Sequence, residues 1–192
     1  MVAAVLASTT ALVACSGGGT PSPPSLGTSP SATGSPSTTA TGPSPSTSGT
    51  PSPPALPAAA QAMDAKGAGA FARYWFDVVN YTYHSGDTTL IRSLATSECQ
   101  FCASFVRDTE KAKTQGRRTV GADVSVIAAV VPPQSSNGLF QVQALVNQAA
   151  GTEIDSLGNV VASLSPNARA RIDVFLRRDK TNWRVRGVVP NA

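Results

Sequence analysis

The sequence predicts an α+β fold, in which three N-terminal helices pack on a curved, largely antiparallel sheet. Apolar residues recur at helical spacing between about residues 65 and 115 and then alternate with polar residues at every second position. Short turn-forming segments separate the alternating stretches, which favours strands that follow one another as a meander. Helices followed by a run of strands are typical of α+β domains.

Charged and aromatic residues are confined to the C-terminal two thirds of the chain. The 192 residues include 15 Lys and Arg, 11 Asp and Glu, six Phe, three Tyr and two Trp, and Asp64 is the first of all these along the chain. Because a core needs large apolar groups, we predict one globular domain over residues 58–192, the length of an ordinary domain.

Residues 1–14 have the features of an export signal. Their apolar stretch is shorter than the roughly 20 residues of a membrane-spanning helix, and it ends in Leu12, Val13 and Ala14 before Cys15. This pattern resembles the signal of bacterial lipoproteins, which implies cleavage before Cys15 and acyl chains such as palmitate on that cysteine. The predicted location is the outer face of the plasma membrane. No Lys or Arg precedes the apolar stretch, and an ordinary apolar N-terminus with a stray cysteine is the alternative.

Residues 15–57 form the predicted lipidated cysteine and a linker. The stretch 16–57 holds eleven of the 15 prolines and is otherwise dominated by Ser, Thr and Gly. Such a composition has too few large apolar groups to offset the entropy cost of ordering, so we expect a disordered spacer between membrane and domain.

The first helix is predicted over about residues 65–84. Its apolar stripe comprises Phe71, Trp75, Val78 and Thr82. Gly86 ends the helix, and His84 lies in its last turn, where a positive or polar group favours the helix dipole. We therefore interpret the single histidine as a helix-end residue rather than a catalytic base.

Two further helices are predicted before the sheet. A short one carries Leu90, Ile91 and Leu94 after a cap at Asp87 or Thr88. The third begins at the capping-box pattern of Ser97 and Gln100 and runs to about residue 115.

Cys99 and Cys102 lie three residues apart in the first turn of the third helix. An even pair of cysteines in an exported protein predicts a disulfide. The alternative is a redox motif of the thioredoxin type, which would need a strand leading directly into it. The preceding residues are predicted to be helical, so we favour a structural disulfide.

Alternating apolar residues predict the strands. Val120, Ala122, Val124, Val126 and Ala128 predict a single first strand. The next ones are predicted over about residues 140–146, 152–155, 160–164, 172–176 and 183–189. The turns between them are Ser, Asn and Gly-rich at 135–138 and 157–159 and polar at 179–182.

The domain resembles a family of uncharacterised actinobacterial secreted lipoproteins. The residues that carry the resemblance are 71–77 (FARYWFD), Gly86 with Asp87, and the cysteine pair. The resemblance covers about residues 58–190 and implies an NTF2-like (cystatin-like cone) fold with a cavity between the first helix and the sheet. It implies no particular activity.

An apolar pocket is predicted in this cone, although the same residues would equally serve as core. The candidates are Phe71, Tyr74, Trp75, Val78, Phe140 and Trp183. Asp77, Asp87, Asp123 and Asp173 are scattered, and we expect Asp123 and Asp173 to point away from the helices. With the histidine at a helix end we expect no His–Asp pair, and we predict no catalytic residue, metal or cofactor.

A basic surface is predicted on the last strands, from Arg169, Arg171, Arg177, Arg184 and Arg186, in a chain of net charge +4. It would contact an anionic envelope polymer or an acidic protein partner. The alternative is a solvated outer face of the sheet. Nucleic acid is not an expected partner outside the cell.

These observations predict a membrane-anchored lipoprotein that presents a non-catalytic ligand-binding or partner-binding domain. Two alternatives are open. One is an enzyme of the isomerase or dehydratase type acting in the cone, and the other is a structural envelope component, for example a homodimer formed through the sheet.

Overall fold

In the part of the chain that the structure describes, three helices precede seven strands, and the predicted α+β fold class is confirmed. The computed structural model describes residues 51–180 and 182–191. After a 3-10 turn at Ala58–Gln61, the helices are α1 (Ala65–Ser85), α2 (Thr89–Leu94) and α3 (Gln100–Thr114). The strands are β1 (Arg118–Gly121), β2 (Val124–Val130), β3 (Phe140–Gln148), β4 (Gly151–Ile154), β5 (Val160–Leu164), β6 (Asn167–Asp179) and β7 (Asn182–Asn191). The predicted signal peptide, Cys15 and most of the predicted linker lie outside the described residues.

Helix α1 begins near the predicted residue 65 and ends at the predicted Gly86, while its N-cap, Asp64, was not predicted. The carboxylate of Asp64 accepts a hydrogen bond from the Gly67 N–H at 2.8 Å, which satisfies one free donor of the first turn. Gly86 ends the helix in the left-handed conformation, with φ of 65°. The helix is long enough to carry apolar residues on two sides, and its buried residues include Phe71, Trp75, Phe76, Val78 and Val79.

Helix α3 begins later than the predicted capping box of Ser97 and Gln100, so that prediction is wrong. The N–H of Thr96 donates to Val185 O of β7 at 2.9 Å, which holds the preceding segment against the sheet. Cys99 is therefore the N-cap, and its sulfur accepts from the Cys102 N–H at 3.2 Å. The predicted disulfide between Cys99 and Cys102 is present.

The strands divide into two antiparallel sheets. The four-stranded one, in the order β2-β3-β6-β7, is here called the main sheet, and the three-stranded one, in the order β1-β4-β5, the small sheet. Val142 of β3 pairs with Val174 of β6, which pairs with Val188 of β7. The core lies between α1 and this face of the main sheet, where Val78, Val142 and Val174 are fully buried.

A corner at Ala122 separates the two sheets, so the prediction of one strand through residues 120–128 is wrong. Ala122 has a φ of 63° and ends the alternation. Its N–H donates to Ala150 O at 3.0 Å, and the Ala149 N–H donates to Asp123 O at 2.9 Å. A Cβ on Gly151 would lie 2.6 Å from the Ala122 Cβ, so the close approach at the corner requires glycine.

A bulge in β2 also shifts the side chains that face the helices. The register changes between Val126 and Ala128. Ala129 rather than the predicted Ala128 therefore packs against the core. Within residues 51–180 and 182–191, no helix has both the length and the apolar character needed to cross a bilayer.

Candidate functional site

A cavity of about 600 Å³ lies between α1, the first turn of α3 and one end of the main sheet. This volume is in the range of small-molecule pockets, about 300–1,000 Å³. Its deepest wall is buried and apolar, formed by Trp75, Phe76, Val79, Val146 and Val188. Its rim is exposed and mostly polar, and includes Asn167, Arg169, Arg171, Asn191 and the ring of Phe101.

Four residues of α1 line the cavity because they recur on one helical face: Trp75, Phe76, Val79 and Tyr83. The Trp75 ring meets Phe76 edge-on at 5.1 Å between centroids and faces Phe101 of α3 at 6.1 Å. Its indole N–H is buried without a hydrogen-bond partner among the described residues. Burial raises the pKa of Tyr83, so its phenol stays protonated at neutral pH.

A bulge in β6 sets the position of Arg169 at the rim. Val146 of β3 pairs with Ala170 of β6, and Gln148 pairs with Asn167. Two residues of β6, 168 and 169, therefore lie opposite the single residue Asn147 of β3. Arg169 has a φ of 57°, in the left-handed region that arginine seldom adopts. The side-chain oxygen of Asn147 accepts the Arg169 N–H at 2.9 Å and holds this conformation.

Arg169 and Arg171 supply the charge of the site. Among the described residues that line the cavity there is no carboxylate and no histidine. The described part of the chain also contains no group of three His, Cys, Asp or Glu side chains placed to hold a metal ion.

The six predicted pocket residues lie in three places. Trp75 lines the cavity, whereas Phe71 and Trp183 line a different cleft with Met63 and Leu94. Tyr74, Val78 and Phe140 are buried in the core. The Trp183 indole N–H donates to Ala62 O at 3.0 Å. We missed Phe76, Val79 and Tyr83, although their spacing of three and four residues marked a second apolar stripe on α1.

None of the four carboxylate candidates lines the cavity. Asp77 is exposed on α1, with a pKa raised by partial desolvation. Asp87 accepts hydrogen bonds from the Thr89 N–H and the Tyr81 hydroxyl, each at 2.9 Å, and these bonds lower its pKa. Asp173 lies on the outer side of the main sheet and accepts from Gln141 at 2.8 Å.

The prediction that the histidine would form no pair with an aspartate is wrong. The Nε2 atom of His84 lies 2.7 Å from an Asp123 carboxylate oxygen. The corner at Ala122 turns Asp123 towards the end of α1, which the alternating pattern did not predict. Both side chains are partly exposed, at 31% and 57%, and neither lines the cavity. The pair joins the end of α1 to the corner of the sheets.

The five predicted surface arginines form two groups rather than one face. Arg169 and Arg171 lie at the cavity rim, while Arg177 lies about 20 Å beyond Arg171 along β6 at the strand's usual rise. Near that far end, Arg184 pairs with Asp179 at 3.5 Å and Arg186 with Glu98 at 3.8 Å. The charge of this second group is thus partly neutralised.

The fold resembles that of the intermembrane space region of chloroplast protein ARC6, with a TM-score of 0.52 and 13% identity over 68% of this chain and 98% of that structure. Aln2 from a Streptomyces species gives a TM-score of 0.41 and 10% identity, over 63% of this chain and 88% of that structure. A protein of unknown function with a cystatin-like fold from Nostoc punctiforme gives a TM-score of 0.33 and 10% identity, over 62% of this chain and 83% of that structure. The likeness to the ARC6 region shows the fold alone. The TM-scores of the other two structures are too low to support a conclusion about this chain.

Comparison with curated proteins finds no significant match. A family model matches residues 39–189, which include almost all of the globular domain and the last part of the predicted linker. The match extends over well more than half of the chain. The chain therefore belongs to the family described as Family of unknown function (DUF6318).

Proposed function

We propose that this domain binds a small molecule in the cavity and does not transform it there. The observation that carries the proposal is the contrast between a buried apolar wall and an exposed polar rim around about 600 Å³ of space. Such a shape excludes water from an apolar ligand and orients it by a few polar contacts.

The chemistry of the lining favours binding over isomerase or dehydratase catalysis. A general base must lie within hydrogen-bond reach of the proton that it removes. The described residues of the lining offer no carboxylate or histidine for that role. Tyr83, with its raised pKa, stays protonated and is a poor base near neutral pH.

Filling the cavity tests the binding proposal. Ala170 lines the cavity from β6, and Ala170→Phe should occupy the space without removing any polar group. Ala128→Phe, on an exposed position of β2, is the matched control. Native mass spectrometry of the full protein from its own envelope should show a bound small molecule that Ala170→Phe loses and Ala128→Phe keeps. Equal spectra for both variants, with no bound molecule in the unchanged protein, would contradict the proposal.

We also propose that Cys15 is acylated and that the domain is presented on the outer face of the plasma membrane. The support is the apolar stretch that ends at Ala14 and the uncharged segment 16–57 after the cysteine. Two or more acyl chains are needed for a stable anchor, which a lipoprotein modification would supply. The Cys99–Cys102 disulfide suits an oxidising compartment.

The variant Cys15→Ser tests the anchor, with Ser16→Ala as the neighbouring control that leaves the sulfur in place. We expect Cys15→Ser to appear in the medium or as an uncut precursor, and Ser16→Ala to stay in the membrane fraction. The mass of the N-terminal peptide should show the acyl chains. A mature-sized Cys15→Ser protein that still fractionates with membranes would show that the cysteine is not the anchor.

A further inference from the structure

We propose that the cavity takes an amphiphilic anion, which is an apolar chain or ring system that ends in one carboxylate or phosphate. Its apolar part would lie against Trp75, Phe76 and Val146, and its anionic head would bind Arg169 and Arg171. This inference rests on the proposed function, because it names the class of ligand for the same cavity.

The two ends of the cavity differ in chemistry. Trp75 and Val146 at the closed end are each 1% exposed, and Phe76 is 3% exposed. Burying apolar ligand surface there is favourable because it removes that surface from water. At the open end the exposed residues include two arginines, so a ligand that fits both ends carries an apolar and a negatively charged part.

The two rim guanidinium groups are free to bind an external anion. Arg92, Arg107, Arg117, Arg184 and Arg186 each lie within 3.8 Å of a carboxylate oxygen. Arg169 and Arg171 form no such ion pair with any described residue. A guanidinium stays charged at all physiological pH values and binds a carboxylate or phosphate with two parallel hydrogen bonds.

Asp173 is the acidic residue that faces these arginines. It lines a cleft on the outer side of the main sheet together with both of them. Its carboxylate accepts a hydrogen bond from Gln141 at 2.8 Å and makes no ion pair with either guanidinium. The local positive charge at the rim is therefore not cancelled by direct pairing.

The backbone at Arg169 places a large cation where glycine or asparagine would be accommodated more easily. A φ of 57° is unfavourable for a long side chain, and the hydrogen bond that the Arg169 N–H donates to Asn147 Oδ1 maintains it. Strained backbone persists where surrounding contacts enforce it and is often found at ligand sites. Here the result is an arginine whose backbone is fixed among the residues that line an apolar cavity.

The two tryptophans provide a direct assay, because Trp75 lines the cavity and Trp183 does not. We would titrate the full chain carrying Cys15→Ser, so that no acyl group of its own competes, with dodecanoate, dodecyl phosphate, dodecanol and inorganic phosphate. The Trp183→Phe variant reports Trp75 alone, and Trp75→Phe reports Trp183 alone.

Both anionic amphiphiles should change the Trp75 signal saturably, with dodecanol binding at least about tenfold more weakly, as expected for charge-assisted hydrogen bonds. Inorganic phosphate should leave the signal unchanged. The relative affinities for dodecanoate and dodecyl phosphate identify the preferred head. Replacing Arg169 and Arg171 by Gln should lower the affinity for the anions to that for dodecanol, whereas Arg177→Gln on the same strand should not.

Equal affinity for dodecanol and dodecanoate would overturn this inference while leaving the binding function intact. Phosphate binding as tightly as dodecyl phosphate would overturn it as well, since the apolar wall would then be irrelevant. Failure of every amphiphile, dodecanol included, would also overturn it and would count against the cavity as a ligand site. The comparison of acid with alcohol needs no arginine variant, so it remains decisive if the double variant does not fold.

Discussion

The main sheet and the small sheet have the same antiparallel pairing, but they differ in what covers them. In the main sheet, Val142, Val174, Leu176 and Val185 are fully buried beneath the helices. No strand residue of the small sheet is buried, and β5 is exposed at four of its five positions. Strand pairing alone therefore does not make a core. A core forms only where the helices cover a face of the sheet.

The space between the helices and the small sheet shows the same difference. A cleft of about 420 Å³ lies there, lined by Tyr83, Phe105, Lys113, Glu153 and Leu164, among others. Away from the cavity at one end of the main sheet, the corresponding space is filled by side chains of α1 such as Phe71 and Val78. We therefore expect the free energy of unfolding to depend strongly on the main sheet and weakly on the small one.

The largest expected effect comes from a matched pair of leucines. Leu176 of the main sheet is fully buried, whereas Leu157 in the turn before β5 is 85% exposed. Leu176→Ala should lower the free energy of unfolding by about 2–5 kcal/mol because it leaves a cavity in the core. Leu157→Ala should change it by less than about 0.5 kcal/mol. Denaturant titration measures both, and similar losses would remove the proposed difference between the sheets.

A smaller effect is expected at the corner. A Cβ on Gly151 would lie 2.6 Å from both the Cβ and the N atom of Ala122. Gly151→Ala should therefore cost about 1–3 kcal/mol, as overpacking usually does. Gly187→Ala in β7 is the control, since its new Cβ would meet Phe175 at an ordinary 3.8 Å.

Hydrogen exchange would sharpen the test of the corner. In Gly151→Ala the amides of β1, β4 and β5 should lose protection before those of β3 and β6. Uniform loss of protection across all these strands would indicate that the two sheets unfold as one unit.

The smallest effect is expected for the ion pair between α1 and the corner. His84 and Asp123 are partly exposed, so solvent screens their attraction and the coupling should not exceed about 1 kcal/mol. A double-mutant cycle with His84→Gln and Asp123→Asn measures this coupling, which should fall further in high salt. A coupling of several kcal/mol would mean that this contact, rather than packing, holds the corner to the helix.

Local signals predicted most of the elements. Gly86 marks the end of α1, and the alternation of Phe140, Val142, Ala144 and Val146 places β3 with the correct face inwards. These predictions succeeded because caps and alternation depend on neighbouring residues. The corner at Ala122 was missed because its cause, the approach of Gly151, comes from a residue far along the chain.

The candidate site was less predictable for the same reason. Of the residues predicted to line one pocket, Trp75 lines the cavity, whereas Phe71 and Trp183 lie in another cleft. Arg169 and Arg171 were predicted as part of an outer surface. They line the outer cleft with Asp173 and also the cavity, and the bulge opposite Asn147 sets the position of Arg169.

By itself the sequence determined that three helices precede the strands, the cysteine pair and the division between a charged domain and an uncharged N-terminal region, because spacing and composition encode these directly. Only the tertiary structure decided which apolar residues became core, which became cavity wall and which stayed exposed. That choice depends on where the helices lie on the sheets, and bulges and corners between distant residues control it.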